Sequence, residues 1–305
     1  MTAKEEVRIG RRMVSLSKPD KVFWPDENIT KGELVAYYRA IADVMVPHLK
    51  DRLLTLERFP NGIEGQRFYQ KDASDYFPNW IATKRAPKEG GKGTVNYVVC
   101  NEAATLVYLA NQGCVTFHTG LHRIDRLNRP DLFIMDLDPS TEDFSVVQRA
   151  ALATRDLLED LGLAVFVKTS GSRGLHVVVP LRRTSTFGDV RAFASDVAGE
   201  LERRYPEELT TEWRKVNRGD RLYLDVARNG YGAHAVAPYS VRARPGAPVA
   251  MPIDWSEVED GGLSPSRYTI REAPGVVEQR GDLWADMRSA GGSLAQASKK
   301  LGKLG

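Results

Sequence analysis

Apolar and polar positions alternate most regularly through the middle of the chain. LFIMDLD (132–138) reads as an apolar strand that carries two acids two residues apart. SVVQRAALATRDLLEDL (145–161) repeats its apolar residues at helical spacing and stops at Gly162. AVFVKT (164–169) and LHVVVPL (175–181) read as strands joined by the tight turn SGSRG. FGDVRAFASDVAGELERRY (187–205) is a second helix, and RLYLDVA (221–227) a fourth strand. The predicted order is βαββαβ, a split βαβ unit, which gives a mixed α+β fold class. Its first strand is central, between the fourth and the third. Alternation along a strand puts Asp136 and Asp138 on one face and Phe133, Met135 and Leu137 on the other. Leu222 and Leu224 likewise oppose Tyr223 and Asp225. With both helices on the leucine face, the three aspartates converge on the open face, and His176 joins them from the third strand.

The flanks are less regular. Residues 14–26 read as an extended segment ending in a turn, and Thr30 with Glu33 forms a capping box for a helix to about Leu49. Strand-like segments follow near 52–59, 66–70, 94–99 and 105–109, with a Gly, Pro, Lys and Arg insert at 84–93 predicted as a flexible loop. Beyond 250, Pro- and Gly-rich stretches precede a helix predicted at 281–288, and 291–305 reads as a disordered tail. The pattern predicts one domain over 1–290. It comprises an α/β module at about 14–125, the core at about 130–250 and an extension at about 250–290.

Composition bounds this picture. Hydrophobic residues make up 42% of the 305, enough for a substantial core, whereas a net charge of +3 does not by itself indicate a nucleic-acid partner. Such a partner has to be read from local basic clusters. The two cysteines show no metal-ligand or disulfide spacing, which points to a reducing compartment, and the five histidines form no zinc-like cluster. No apolar run reaches membrane-spanning length and the charged start lacks a signal-peptide core, so a cytoplasmic protein is expected.

Three clustered carboxylates repel one another and raise their own pKa values unless cations neutralise them. Hard oxygen ligands suit Mg²⁺ or Mn²⁺, and two such ions can activate a 3′-hydroxyl and stabilise departing pyrophosphate. A DxD pair alone is weak, because surface aspartates are common and Asp138-Pro139-Ser140 suits a turn. Asp136 escapes that reading because it lies inside an apolar run. Beside this site, the Ser170–Gly174 hairpin has small residues that admit an anion. Ser170 and Ser172 can donate to phosphate oxygens and Arg173 can neutralise a triphosphate. His176 can contact phosphate or sugar. Arg242 and Arg244 form a second cationic pair. Arg214, Lys215, Arg218 and Arg221 suit a nucleic-acid backbone, and Phe68-Tyr69, near Lys71, can stack on a base or ribose.

Together, FIMDLDP, KTSGSRGLHV and LYLDVARN resemble the three motifs of the archaeo-eukaryotic primase superfamily, whose core is similar to an RNA-recognition motif. The closer resemblance is to the polymerase domain of bacterial ligase D. It runs from DKVFWP to about residue 285 and includes TKGELVAYY, NQGCVTFH and VAPYSVRARPGAPVAMPIDW. It implies metal ligands at Asp136, Asp138 and Asp225, and nucleotide contacts from His118, Ser170, Arg173, His176 and Arg242, with Arg244 adjacent. It also implies a pocket for a downstream 5′-phosphate at Lys21 and Lys31, template stacking by Phe68 and Tyr69, and primer positioning by the loop holding Arg218. The implied partners are gapped or broken DNA, NTPs or dNTPs, Ku and a separate ATP-dependent ligase, in non-homologous end joining on the nucleoid by a monomer. Excision-repair gap filling, priming and a non-catalytic end-bridging module are the alternatives. Arg173 stands where many members have lysine, DVARN replaces the DWSQN of ligase-fused members, and no tryptophan follows His118 closely.

Overall fold

The computed structural model describes residues 5–304, so the first four residues of the charged start and the last residue of the tail lie outside it. The chain forms two compact units. The first comprises the described residues up to Gly120, with His234–Ala250 and Tyr268–Asp282; the second comprises Leu121–Ala233, Met251–Arg267 and Leu283 onward.

In the first unit, an antiparallel sheet is built on β1 (Leu54–Arg58), β2 (Phe68–Gln70) and β3 (Cys114–Gly120), with His234–Val236 on its outer edge. The predicted capping box at Thr30 and Glu33 is formed, but the helix is two helices. These are α1 (Lys31–Ala40) and α2 (Ala42–Leu49), and Ile41 leaves helical geometry between them. The segment expected as a strand at 105–109 belongs instead to helix α3 (Ala103–Asn111), in which every residue from Ala104 to Asn111 is buried. A helix buried on all sides has no polar stripe, so its apolar run mimics a core strand. The insert at 84–93 is only partly loop. Thr83–Pro87 and Thr94–Val98 pair as a hairpin, and its turn is closed by the Lys88 N–H donating to the Gly93 carbonyl at 3.0 Å.

The second unit holds the βαββαβ core as β4 (Leu132–Asp138), α4 (Phe144–Asp160), β5 (Phe166–Thr169), β6 (Leu175–Pro180), α5 (Phe187–Arg204) and β7 (Leu222–Asp225). The spatial order is β7-β4-β6-β5, extended by Leu209–Thr210 beside β7 and Pro252–Ile253 beside β5. The first strand is thus central, as its pattern predicts. Phe133, Met135, Leu137, Leu222 and Leu224 are fully or almost fully buried, and α4 and α5 pack against this sheet. Each such side chain contributes about 1.5–3 kcal/mol through burial. Asp143 caps α4, and a Thr186–Asp189 capping box starts α5.

Two C-terminal expectations are overturned. The helix predicted at 281–288 is Ala273–Arg280 instead, ended by Gly281 at φ +70°. The tail predicted as disordered contains helix Leu294–Leu301, capped by Ser293 and packed on α5. Its buried Leu294, Ala297 and Leu301 recur at helical spacing, enough to order eight residues against an existing surface.

Candidate active site

The carboxylates are placed by strand register. Asp136 lies opposite Asp225 on β7 and opposite His176 on β6, while Asp138 lies opposite Tyr223. All five therefore share one face. Lys168 on β5 continues the row beyond His176 and is fully buried. The Asp136, Asp138 and Asp225 side chains keep 17%, 33% and 19% of their surface exposed, so the face is open where the acids stand.

Their charges are unequal. Burial penalises the Asp136 carboxylate, but His176, Arg228 and Lys168 outweigh that penalty and lower its pKa to about 2. The His176 Nε2 lies 3.4 Å from the Asp136 Oδ1. Burial raises the pKa of Asp225, and Asp136 and Asp138 push it the same way, against the Ala227 N–H that it accepts. Three arginines meet the excess negative charge. Arg173 donates to the Asp138 Oδ1 at 2.7 Å, and an Arg218 Nη1 lies 3.7 Å from its Oδ2. The Arg228 Nε is 3.5 Å from Asp136 and 4.0 Å from Asp225. Among the described residues no three acids, histidines or cysteines are already gathered as a metal cage. Each acid turns instead toward a cationic side chain. An all-oxygen donor set on one face, neutralised by exchangeable arginines, fits a hard divalent cation.

Arg228 was not singled out from the sequence. Its position comes from Asn229, which is fully buried and stands in for a strand partner to β4. Asn229 accepts from the Ile134 N–H at 2.9 Å and donates to the Ile134 carbonyl at 2.7 Å. That fixes the turn Ala227–Asn229 against the central strand and sets Arg228 three residues beyond Asp225. The ARN that follows LDV was the only available signal.

The Ser170–Gly174 hairpin forms as predicted, and its hydroxyl chemistry is internal. The Ser170 Oγ accepts from the N–H groups of Ser172 at 3.2 Å and Gly174 at 3.1 Å. These two N–H groups close the turn on the Ser170 hydroxyl. The same bonds hold Arg173, 57% exposed, at the rim beside Asp138. Gly174 is required by contact: a Cβ there would lie 1.9 Å from the Leu137 carbonyl oxygen.

The residues predicted to meet the nucleotide from outside the core, the template and the 5′-phosphate lie in the first unit. His118 on β3 sits opposite Thr55 and Val236, with the Tyr69 ring edge-on at 5.8 Å. Tyr69 is exposed, Phe68 is half-buried beneath the Arg58 guanidinium at 5.3 Å, and Lys71 is exposed just past β2. Arg242 is half-buried and Arg244 exposed, and the Arg244 carbonyl accepts from the Trp24 indole at 2.9 Å. Lys21 and Lys31 are brought together, since the Lys31 N–H donates to the Lys21 carbonyl at 2.7 Å. The Lys31 ammonium donates to the Ser17 hydroxyl and the Asn111 carbonyl, both at 3.1 Å. Burial, then the charges of Lys21 and Lys18, lowers its pKa to about 8.

A βαββαβ sheet whose open face carries Asp136, Asp138 and Asp225, with Arg173, Arg218 and Arg228 beside them, suits a polymerase-type nucleotidyl transferase. The family model described as LigD, primase-polymerase domain, matches residues 30–284. The multifunctional non-homologous end joining protein LigD of Mycolicibacterium smegmatis is 33% identical over 278 residues, covering 90% of this chain and 36% of its own length. The bifunctional non-homologous end joining protein LigD of Bacillus subtilis is 31% identical over 264 residues, covering 86% of this chain and 42% of its own. The solved polymerase domain from Mycobacterium tuberculosis ligase D, in complex with DNA, aligns with a TM-score of 0.85 and 29% identity over 92% of this chain and 99% of that one. The chain belongs to the LigD primase-polymerase family, whose members are metal-dependent nucleotidyl transferases. It spans less than half the length of these curated relatives. Among the described residues no helix is long and apolar enough to cross a membrane.

Proposed function

We propose that this protein adds nucleotides to a primer 3′-hydroxyl at short gaps and broken DNA ends bearing a downstream 5′-phosphate, in non-homologous end joining. The observation that carries this reading is the set Asp136, Asp138 and Asp225 on the open face of the core sheet, with Asp136 and Asp225 opposite one another. These residues would hold two divalent ions, Mg²⁺ or Mn²⁺, which when bound lower the pKa of the attacking hydroxyl and neutralise the departing pyrophosphate. His176 orients Asp136 and keeps it ionised. Arg173 exchanges Asp138 for the incoming triphosphate, where its planar fork gives two parallel hydrogen bonds that a lysine does not. Arg228 reaches both Asp136 and Asp225 and opposes the upward push that burial and the neighbouring acids exert on Asp225. Ser170 acts through the turn it closes, by fixing Arg173. His118, Arg242 and Arg244 are assigned to the nucleotide, Phe68, Tyr69 and Lys71 to the template, and Arg218 to the primer loop, with Ku and an ATP-dependent DNA ligase as partners. Extension of a gapped duplex tests the reading as a whole.

The paired Lys21 and Lys31 are assigned to the 5′-phosphate. Replacing both with alanine is expected to cut the preference for phosphorylated over unphosphorylated gaps by about tenfold, the scale of a charge-assisted contact. With Lys31 losing its proton near pH 8, the wild-type preference should also shrink between pH 7 and pH 9. Equal preference in the double variant and the wild type, measured by competition binding, would rule the assignment out.

A further inference from the structure

The loop between Leu209–Thr210 and β7 carries two large apolar side chains in the open. Trp213 is 67% exposed and Val216 87% exposed. Single apolar residues at a surface need no explanation, but here the two lie three residues apart on a loop that is firmly tied down.

The ties come from Arg218. Its guanidinium is buried, 3.8 Å above the Tyr223 ring, and donates to the Glu212 carbonyl at 2.9 Å and the Trp213 carbonyl at 2.8 Å. Glu212 accepts from the Arg214 N–H at 2.8 Å, and Arg221 donates to the Arg218 carbonyl at 3.0 Å. The backbone at Trp213 is thus held while its indole stands in solvent with the Arg214 guanidinium 5.0 Å from its ring. The same Arg218 reaches toward Asp138, so the platform stands beside the carboxylate site.

We infer that Trp213 is a stacking platform for an unpaired DNA base next to the reacting end. Three features select this occupant. An indole presents a face large enough for any base, and base–aromatic stacking is indifferent to sequence. The Arg214 guanidinium beside its ring and the exposed Lys215 two residues on bring positive charge to the loop, which suits a phosphate backbone and disfavours an apolar protein surface. A fixed backbone spares most of the ordering cost that a mobile loop would incur on binding. This inference rests on the polymerase reading and adds a residue to it.

The test is the affinity of the full chain, without divalent metal, for a fluorescent duplex with a 3′-overhang. A second duplex carries abasic sugars in place of the overhang bases. Wild-type protein is expected to bind the abasic form about tenfold more weakly, the scale of one lost stack. Trp213→Ala should bind both forms alike and weakly, and Trp213→Phe should recover most of the discrimination. Because stacking releases no counterions, the salt dependence of Trp213→Ala should run parallel to that of the wild type. Since Trp213 is exposed, its thermal transition should be unchanged. Wild-type affinity and base sensitivity in Trp213→Ala would overturn this inference alone. Failure of the wild type to bind either duplex would overturn the polymerase reading, and this inference with it.

Discussion

Asp136→Asn and Asp138→Asn are each expected to lose roughly 10³-fold or more in nucleotide addition while binding DNA as well as the wild type or better. Asparagine keeps the side-chain shape, so the strand register that sets the face is preserved. What is lost is one anionic oxygen donor of the three that share the face. In Asp138→Asn the Arg173 and Arg218 guanidinium groups also lose a neighbouring negative charge, which leaves the face more positive toward a phosphate backbone. Affinity and catalysis should therefore separate: a slower enzyme on equally or more tightly held DNA. Primer extension and fluorescence anisotropy on the same substrate measure the two terms. Undiminished extension by both variants would contradict the assignment of these acids to the metals.

Gly174→Ala should be the most damaging small substitution in the core. The added methyl would lie 1.9 Å from the Leu137 carbonyl oxygen, against backbone that cannot rotate away. Leu137 sits between Asp136 and Asp138, so relief of the clash displaces the segment that carries both acids. A stability loss of about 3 kcal/mol is expected, at the upper end of overpacking effects. Activity should fall further than the folded fraction alone explains, because the acids move even in molecules that fold. A urea melt with single-turnover rates at fixed folded fraction would check both. A melt and a rate matching the wild type would show that β4 and the hairpin separate without consequence.

The core was legible because two simple periods meet there. Asp136 interrupts an apolar strand at the open-face positions, and the βαββαβ order then dictates that β7 and β6 flank it. Long-range side chain to backbone bonds were not legible. Asn229 reaches Ile134 across the sheet, and no local pattern announces that it fixes the turn carrying Arg228. Nor does SGSRG say whether its hydroxyl faces a ligand or its own turn; the Ser170 Oγ takes the Ser172 and Gly174 N–H groups. The errors in the flanks have different causes. TLVYLA is buried on every side as helix α3, so it shows no helical stripe, and the tail helix is ordered by packing on α5.

The proposed activity is metal-dependent, template-directed nucleotide addition driven by three aspartates on one sheet face. Incubating the wild-type chain with a one-nucleotide-gapped, 5′-phosphorylated duplex and all four nucleotides, with Mg²⁺ or Mn²⁺ or with chelator, tests it most directly. Addition of the complementary nucleotide is expected with either metal and none with chelator. DNA bound normally but never extended with any metal or nucleotide would contradict it and leave an end-binding protein in its place.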